Sequence, residues 1–148
     1  GAEVMFHTFG AHPAACAAAS EVLSILDEEQ LVARVAALGP RLTALLRDAF
    51  ADHPHVAETR GRGLLHAIEL VADCRTLEPF PVAAGVTGRI MAEGMRRGVF
   101  FYPGGTGTIR DIICMGPPFV ITDADLRRMV EILRDTVDAV MMEVKRAA

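Results

Sequence analysis

A short segment near the start of the chain combines polar side chains, small residues and the beginning of a helix. It reads His7-Thr8-Phe9-Gly10-Ala11-His12-Pro13 and continues into an alanine-rich stretch. Proline is tolerated in the first turn of a helix, and alanine is the best helix former. The Thr8 hydroxyl and the free N–H groups of a helix N-terminus are donors that can bind a phosphate or another anion. The alternative is that the turn only begins the helix, as most such turns do.

The same segment contains residues that often bind metals. His12 and Cys16 are four positions apart at a helix start and would share one face. Two facing ligands do not complete a site, and the sequence offers no further ones beside them. We therefore predict no metal, and we expect His12 to be a packing residue with satisfied hydrogen bonds.

Two glycine-rich stretches raise the possibility of phosphate or anion binding. Residues 104–107 lack the Gly-Lys-Ser/Thr ending of a nucleotide-binding loop and lie between two predicted strands. A hairpin or a substrate-side loop is the better interpretation. Arg60 and Arg62 lie in an Arg-Gly-Arg-Gly sequence that resembles an anion clamp, but such turns between strands usually expose their arginines to water.

Composition limits the possible functions. The chain has 148 residues, is 51% hydrophobic and has a formal net charge of −4. It is long and apolar enough for one domain with a buried core. Its charges are interspersed, so we expect no nucleic-acid partner. No apolar run approaches the roughly 18 residues of a membrane span, and we expect no membrane partner.

The cysteines and the first residues suggest a location and a context. Cys16, Cys74 and Cys114 are odd in number and far apart, which favours reduced core thiols and a cytoplasmic protein. The chain opens on Gly1 without a start methionine and runs directly into patterned sequence. We interpret it as a fragment or a processed chain.

Hydrophobic periodicity predicts four helices and four short strands. The helices are expected over residues 13–28, 29–52, 82–97 and 123–144, with Pro40 kinking or dividing the second and Thr122 capping the last. The strands are expected over residues 56–60, 64–71, 99–102 and 111–115. Paired short strands beside helices indicate an α+β layer arrangement rather than an alternating doubly wound sheet.

Three segments carry recognisable motifs in a fixed order along the chain. The first is the Thr8 to Pro13 turn before its alanine-rich helix. The second is Arg60-Gly61-Arg62-Gly63-Leu64 running into Ala67-Ile68-Glu69-Leu70. The third is Pro117-Pro118-Phe119 with Ile121-Thr122 before the final helix. Together they cover nearly the whole chain, and in this order they resemble the class III aminotransferases, which depend on pyridoxal phosphate.

The resemblance implies the C-terminal small domain of a fold-type-I subunit, a short and mostly antiparallel sheet packed with helices. Residues 1–28 would form an interface turn and helix, and residues 29–148 the small domain. The family forms homodimers with active sites at the interface. Thr8 would donate its hydroxyl to the phosphate of the partner subunit's cofactor, and the backbone N–H of His7 or Thr8 would add a second donor.

The family's cofactor-binding lysine precedes this segment, and the sole lysine here, Lys145, is expected on the surface. We therefore expect the chain to be inactive alone, with the missing N-terminal part of the same subunit as its partner. The intact parent would transfer an amino group between an amino donor and a keto acid. The alternative is a free-standing, non-catalytic interaction or dimerisation module.

Many relatives place a carboxylate-binding arginine shortly before the Pro-Pro strand. The matching position here is Gly107 or, in a second alignment, Tyr102. Arg110 lies nearby beside Asp111 and is the candidate replacement for this arginine, so Arg110 and Tyr102 are the residues expected to bind substrate. The alternative is that Arg110 forms a salt bridge or anchors its loop. The sequence leaves the identity of the amino donor open.

Overall fold

The computed structural model describes residues 8–106 and 109–147, which form helices around one antiparallel sheet. The helices are α1 (Pro13–Glu28), α2 (Leu31–Phe50), α3 (Val86–Arg96) and α4 (Asp123–Ala147). The strands are β1 (Val56–Arg62), β2 (Leu65–Leu70), β3 (Tyr102–Thr106) and β4 (Ile109–Met115). The strand order is β1-β2-β4-β3, and every neighbouring pair is antiparallel. The α+β prediction is confirmed.

The core lies between one face of the sheet and the helices α2, α3 and α4. Ile68 of β2 and Ile113 of β4 are paired in register, and both are fully buried. The apolar stripes that the sequence predicts for α2 and α4 meet them there. The fully buried members of these stripes are Leu42, Leu46, Leu133 and Val137. Each such side chain contributes roughly 1.5–3 kcal/mol by leaving water.

Helix α2 continues through Pro40, so the proline does not divide it, which leaves a kink as the remaining form of the prediction. Proline removes one backbone hydrogen bond and crowds the preceding turn. Leu38 and Leu42 are buried on either side of it, and their packing holds the helix together. Beside the proline, Gly39 touches the β1–β2 turn: a Cβ on Gly39 would lie 2.9 Å from the Cα of Gly63.

The third helix and the third strand begin later than expected. Residues 82–84 form a 3-10 turn, and Gly85 then adopts a left-handed conformation (φ 56°), so α3 starts at Val86. After α3, the N–H of Val99 donates to the Gly94 carbonyl at 2.9 Å. Phe101 is fully buried against Gly94. Because these contacts hold residues 99–101 against the helix, strand β3 begins at Tyr102. It therefore includes residues 104–106 of the stretch predicted to be a glycine-rich loop.

The structure also tests the predictions for Thr122, Lys145, the three cysteines and a membrane span. Thr122 caps α4, since its Oγ1 accepts the N–H of Asp125 at 3.1 Å. Lys145 is exposed, as expected. All three cysteines are free, but Cys16 is exposed and only Cys74 and Cys114 are partly covered, so the expectation of core thiols is wrong for Cys16. In the described ranges, no helix is both long and apolar enough to cross a membrane.

A buried histidine joins β2 to α2. His66 Nε2 lies 2.9 Å from Thr43 Oγ1, which also reaches the Gly39 carbonyl at 3.1 Å. The Nδ1 atom of His66 is buried and has no hydrogen-bond partner among the described residues. Burial lowers the pKa of His66 below its ordinary 6.5, because the charged form cannot be solvated there.

The lowered pKa of His66 predicts a pH-dependent stability. Below pH 6.5 the unfolded chain takes up a proton on this histidine, whereas the folded chain does not. The free energy of unfolding therefore decreases as the pH is lowered from 6.5 to the pKa of His66 in the folded state. One proton accounts for at most about 1.4 kcal/mol per pH unit. Urea unfolding between pH 7 and pH 5 measures this slope. We expect His66→Gln to reduce it, and an unchanged slope would contradict the assignment.

The contact between Gly39 and Gly63 predicts a position that tolerates no side chain. In Gly39→Ala, the new Cβ meets backbone atoms that cannot move aside, and we expect a loss of about 1–3 kcal/mol despite alanine's better helix propensity. Gly88→Ala in α3 is the matched control, because nothing lies within 4 Å of a Cβ there. We expect this control to be neutral or to stabilise by up to about 1 kcal/mol. Thermal unfolding of both variants compares them.

Candidate functional site

The N-terminal turn has the features that an anion requires. Thr8 and Phe9 are exposed, and the chain reverses through Ala11, which adopts a left-handed conformation (φ 59°). The His12 N–H closes the turn by donating to the Phe9 carbonyl at 3.2 Å. Helix α1 starts at Pro13 with no side-chain cap and no acidic residue in its first turn. An exposed hydroxyl followed along the chain by uncapped helix N–H groups suits a phosphate. His7 lies outside the described residues.

His12 does not pack as expected. It is exposed, and its ring meets the edge of Phe9, with 6.5 Å between ring centroids. Cys16 is exposed as well. The described part of the chain contains no group of three side chains that could hold a metal ion.

Helix α1 lies on the surface along its whole length. None of its residues is buried, and only Leu26 is partly covered, in a helix that packs mainly on α2. Leu23 keeps 66% of its surface exposed, and Val22 and Ile25 are exposed beside it. Water-exposed leucine, isoleucine and valine on one helix form a patch typical of an interface. The described chain leaves this patch uncovered.

The β3–β4 hairpin carries the two residues expected to bind substrate. Tyr102 is 63% exposed and pairs with Cys114 at one end of the hairpin. Gly104 follows on the same face, where a Cβ would lie 2.7 Å from the sulfur of Cys114. Arg110 lies four residues before Cys114, roughly 13 Å away along the strand. The hairpin therefore does not bring Tyr102 and Arg110 together.

Arg110 anchors its end of the hairpin. Its Nη2 donates to the Phe80 carbonyl at 3.4 Å, and its Nε is buried without a partner among the described residues. The neighbouring Asp111 adopts a left-handed conformation (φ 59°) and accepts a hydrogen bond from Thr87 Oγ1 at 2.9 Å. Arg110 and Asp111 form no ion pair with each other. The hydrogen bond to the Phe80 carbonyl thus supports the interpretation that Arg110 anchors its loop.

Sequence reasoning missed several of these contacts. Thr87 lies inside a predicted helix, and nothing in the sequence links it to Asp111. Arg60 lies in β1, where its Nη1 contacts Glu58 and Glu69 at 2.6 Å each; it is half-buried, so the expected water-exposed arginine is wrong here. Arg62 is exposed, as expected. Strand register brings Arg60 to Glu69, and the packing of α3 on β4 brings Thr87 to Asp111.

Comparisons with known proteins identify the family. The family profile described as aminotransferase class III matches residues 5–137. The chain belongs to the class III aminotransferases. It is 42% identical over 135 residues to an uncharacterized aminotransferase of Schizosaccharomyces pombe, a match that covers 89% of this chain and 29% of that protein. This class III chain is also 36% identical to the taurine–pyruvate aminotransferase of Rhodobacter capsulatus, covering 90% of the chain and 28% of the relative.

The folds agree as well. A transaminase from directed evolution by ancestral reconstruction superimposes with a TM-score of 0.87 at 36% identity. That match covers 97% of the class III chain and 31% of the solved structure. The chain thus spans less than a third of the length of the relatives it matches, and most of such a subunit lies outside it.

The exposed face of α1 generates a prediction about association. We expect the 148-residue chain to self-associate through this face, because water-exposed apolar side chains gain free energy when they are covered. Leu23→Glu should shift sedimentation towards the monomer by placing a charge in the contact. Ser24→Glu adds the same charge at a polar position of the helix and is the control. Equal sedimentation of the wild type and both variants would contradict the role of this face.

Proposed function

We propose that this chain is the C-terminal part of a pyridoxal-phosphate-dependent aminotransferase, which transfers an amino group between an amino donor and a keto acid. The N-terminal turn is the observation that carries the proposal. It holds an exposed hydroxyl a few residues before an uncapped helix start with no acidic residue in the first turn. This arrangement lies within the family match at residues 5–137.

In this proposal, the turn binds the cofactor phosphate. Thr8 donates its hydroxyl to a phosphate oxygen, and the backbone N–H of His7 or Thr8 supplies a second donor. Pyridoxal phosphate supplies the electron-withdrawing ring that makes amino transfer possible. The cofactor-binding lysine belongs to the part of the subunit that precedes this chain, and the chain alone is inactive.

The exposed α1 supports a site completed by other polypeptide segments. We propose that residues 1–28 form the interface turn and helix and that residues 29–148 form the small domain. The partners are the N-terminal part of the same subunit and the second subunit of a homodimer. Because the chain leaves the apolar face of α1 uncovered, both partners have a surface to occupy. The three free cysteines support a cytoplasmic location.

We place the substrate beside the β3–β4 hairpin. Tyr102 offers an exposed phenol, and Arg110 offers the only guanidinium of the hairpin's described residues. The two lie at opposite ends of the hairpin, so they contact different parts of a substrate. Taurine and pyruvate, the substrates that the Rhodobacter capsulatus relative is named for, are the first pair to test.

The test uses the full-length subunit that contains this chain. We expect it to bind pyridoxal phosphate and to form alanine from pyruvate with at least one donor from a panel that includes taurine. Thr8→Ala should weaken cofactor binding by about tenfold to a hundredfold, because one hydrogen bond to a charged group is lost. Thr8→Ser keeps the hydroxyl and should bind nearly normally. A subunit that neither binds the cofactor nor forms alanine would overturn the proposal.

A second function is a non-catalytic interaction or dimerisation module. The exposed apolar face of α1 is the observation that favours it, because a free-standing chain would present this face to a partner. Intact mass of the protein from its natural source separates the two functions. A chain of 15.9 kDa that binds no pyridoxal phosphate supports the module, and a longer chain that binds it supports the enzyme.

A further inference from the structure

Two histidines join the corner between α2 and β1 to the loop that follows β2. The carbonyl of His55 accepts the N–H of Val71 at 3.0 Å. Its Nδ1 lies 3.2 Å from the Val71 carbonyl and 3.0 Å from the Ala72 carbonyl. Because both neighbours of Nδ1 are acceptors, Nδ1 carries the ring proton. The ring of Phe80 packs on the His55 ring, with 5.6 Å between centroids. We call these contacts of His55 with Val71, Ala72 and Phe80 the His55 latch.

His53 holds the latch in place through its own ring. It is buried, and its Nδ1 accepts the backbone N–H of His55 at 3.2 Å. A ring nitrogen that accepts a hydrogen bond carries no proton, so the neutral ring of His53 is protonated at Nε2. This Nε2 lies 3.2 Å from Asp138 Oδ1 and donates to it. The neutral form of His53 therefore satisfies both of its ring nitrogens.

The charged groups around the His53 ring oppose each other. From α4, Arg134 disfavours a positive ring and Asp138 favours one, and these two side chains also bond to each other at 2.7 Å. From the segment before β1, His55 adds a repulsion. From the loop after β2, the Cys74 thiol donates to the backbone carbonyl of His53 at 3.7 Å. Burial has the largest effect, and it lowers the pKa of His53 below its ordinary 6.5.

We propose that protonation of His53 opens the His55 latch, so that the loop after β2 is released in acid while the core stays folded. A second proton on the His53 ring resides on Nδ1, because Nε2 already carries one. Nδ1–H and the His55 N–H are then two donors that face each other, and their hydrogen bond is lost. The His55 backbone moves away, which breaks its contacts with Val71 and Ala72. Protonation of His55 itself takes place at Nε2 and leaves the latch bonds unchanged.

The released loop extends to the β3–β4 hairpin. Phe80 belongs to this loop, and its carbonyl accepts Arg110 Nη2 at 3.4 Å. The latch therefore connects the titration of a histidine at the α2–β1 corner to the anchor of the hairpin. The latch does not depend on the proposed function, because its contacts lie within this chain.

The test follows amide hydrogen exchange of the 148-residue chain by NMR between pH 7 and about pH 4. After correction for the intrinsic effect of pH, we expect the protection of the Val71 N–H to fall about tenfold or more, because its hydrogen bond to His55 is lost. The N–H of Leu133, in the interior of α4, reports the stability of the core and should change less. The loss at Val71 should follow the titration of the His53 ring, which the Cε1–H signal reports.

Two variants assign the opening to His53. In His53→Asn, the side-chain oxygen can accept the same backbone N–H two residues on but takes up no proton, so the latch should stay closed in acid. In Asp138→Asn, the carboxylate that favours the charged ring is lost, so the opening should move to lower pH. His12→Asn removes an exposed histidine of the N-terminal turn, and this control should leave the opening unchanged.

Three results would each overturn the inference. The first is a Val71 protection that falls only in parallel with that of Leu133. The second is an opening of full size in His53→Asn, and the third is an opening that moves to higher pH in Asp138→Asn. If His53→Asn does not fold, the direction of the shift in Asp138→Asn decides the matter. Cofactor binding and amino transfer play no part in these measurements, so a failure of the proposed function leaves the latch standing, and the reverse.

Discussion

The structure depends on the apolar contact between one face of the sheet and the helices α2, α3 and α4. Ile68 and Ile113 pair within it, in the same buried cluster as the apolar stripes of these helices. The free energy gained by this apolar contact exceeds the cost of the local conformational preferences that oppose it. It holds α2 together through Pro40, and it fixes the register that places every polar residue of the sheet. A typical domain retains only about 5–15 kcal/mol of net stability, so a few such side chains decide whether it folds.

The core also explains which parts of the chain can carry function. It is completed within residues 31–141, the span between the first and last buried hydrophobic residues among those described, and α1 contributes nothing buried to it. The helix that carries the Thr8 turn is therefore joined to a stable body while its own apolar face remains uncovered. A completed core beside an uncovered helix is the arrangement expected where a site is assembled from several polypeptide segments.

In the β3–β4 hairpin, strand pairing maintains a strained backbone conformation at Asp111. Asp111 keeps an unfavourable backbone conformation because β4 is fixed on both sides, by β2 through Ile113 and by β3 through Tyr102 and Gly104. Thr87 then holds the carboxylate, and the Phe80 carbonyl holds Arg110. Arg110 and Asp111 form no ion pair with each other, because the backbone rather than their mutual attraction determines where the two side chains point.

The sequence by itself determined the elements and the family. Helix periodicity depends on neighbours three and four residues apart, so the stripes of α2 and α4, the start of α1 at Pro13 and the Thr122 cap could be predicted from local sequence. The ordered motifs around Thr8, Arg60 and Pro117 indicated the aminotransferase family. The tertiary structure alone decided where β3 begins, that His12 is exposed, and that Tyr102 and Arg110 lie apart. It also joined Thr87 to Asp111, because these features depend on contacts between residues distant in the chain, such as the packing of Phe101 on Gly94, which no local pattern encodes.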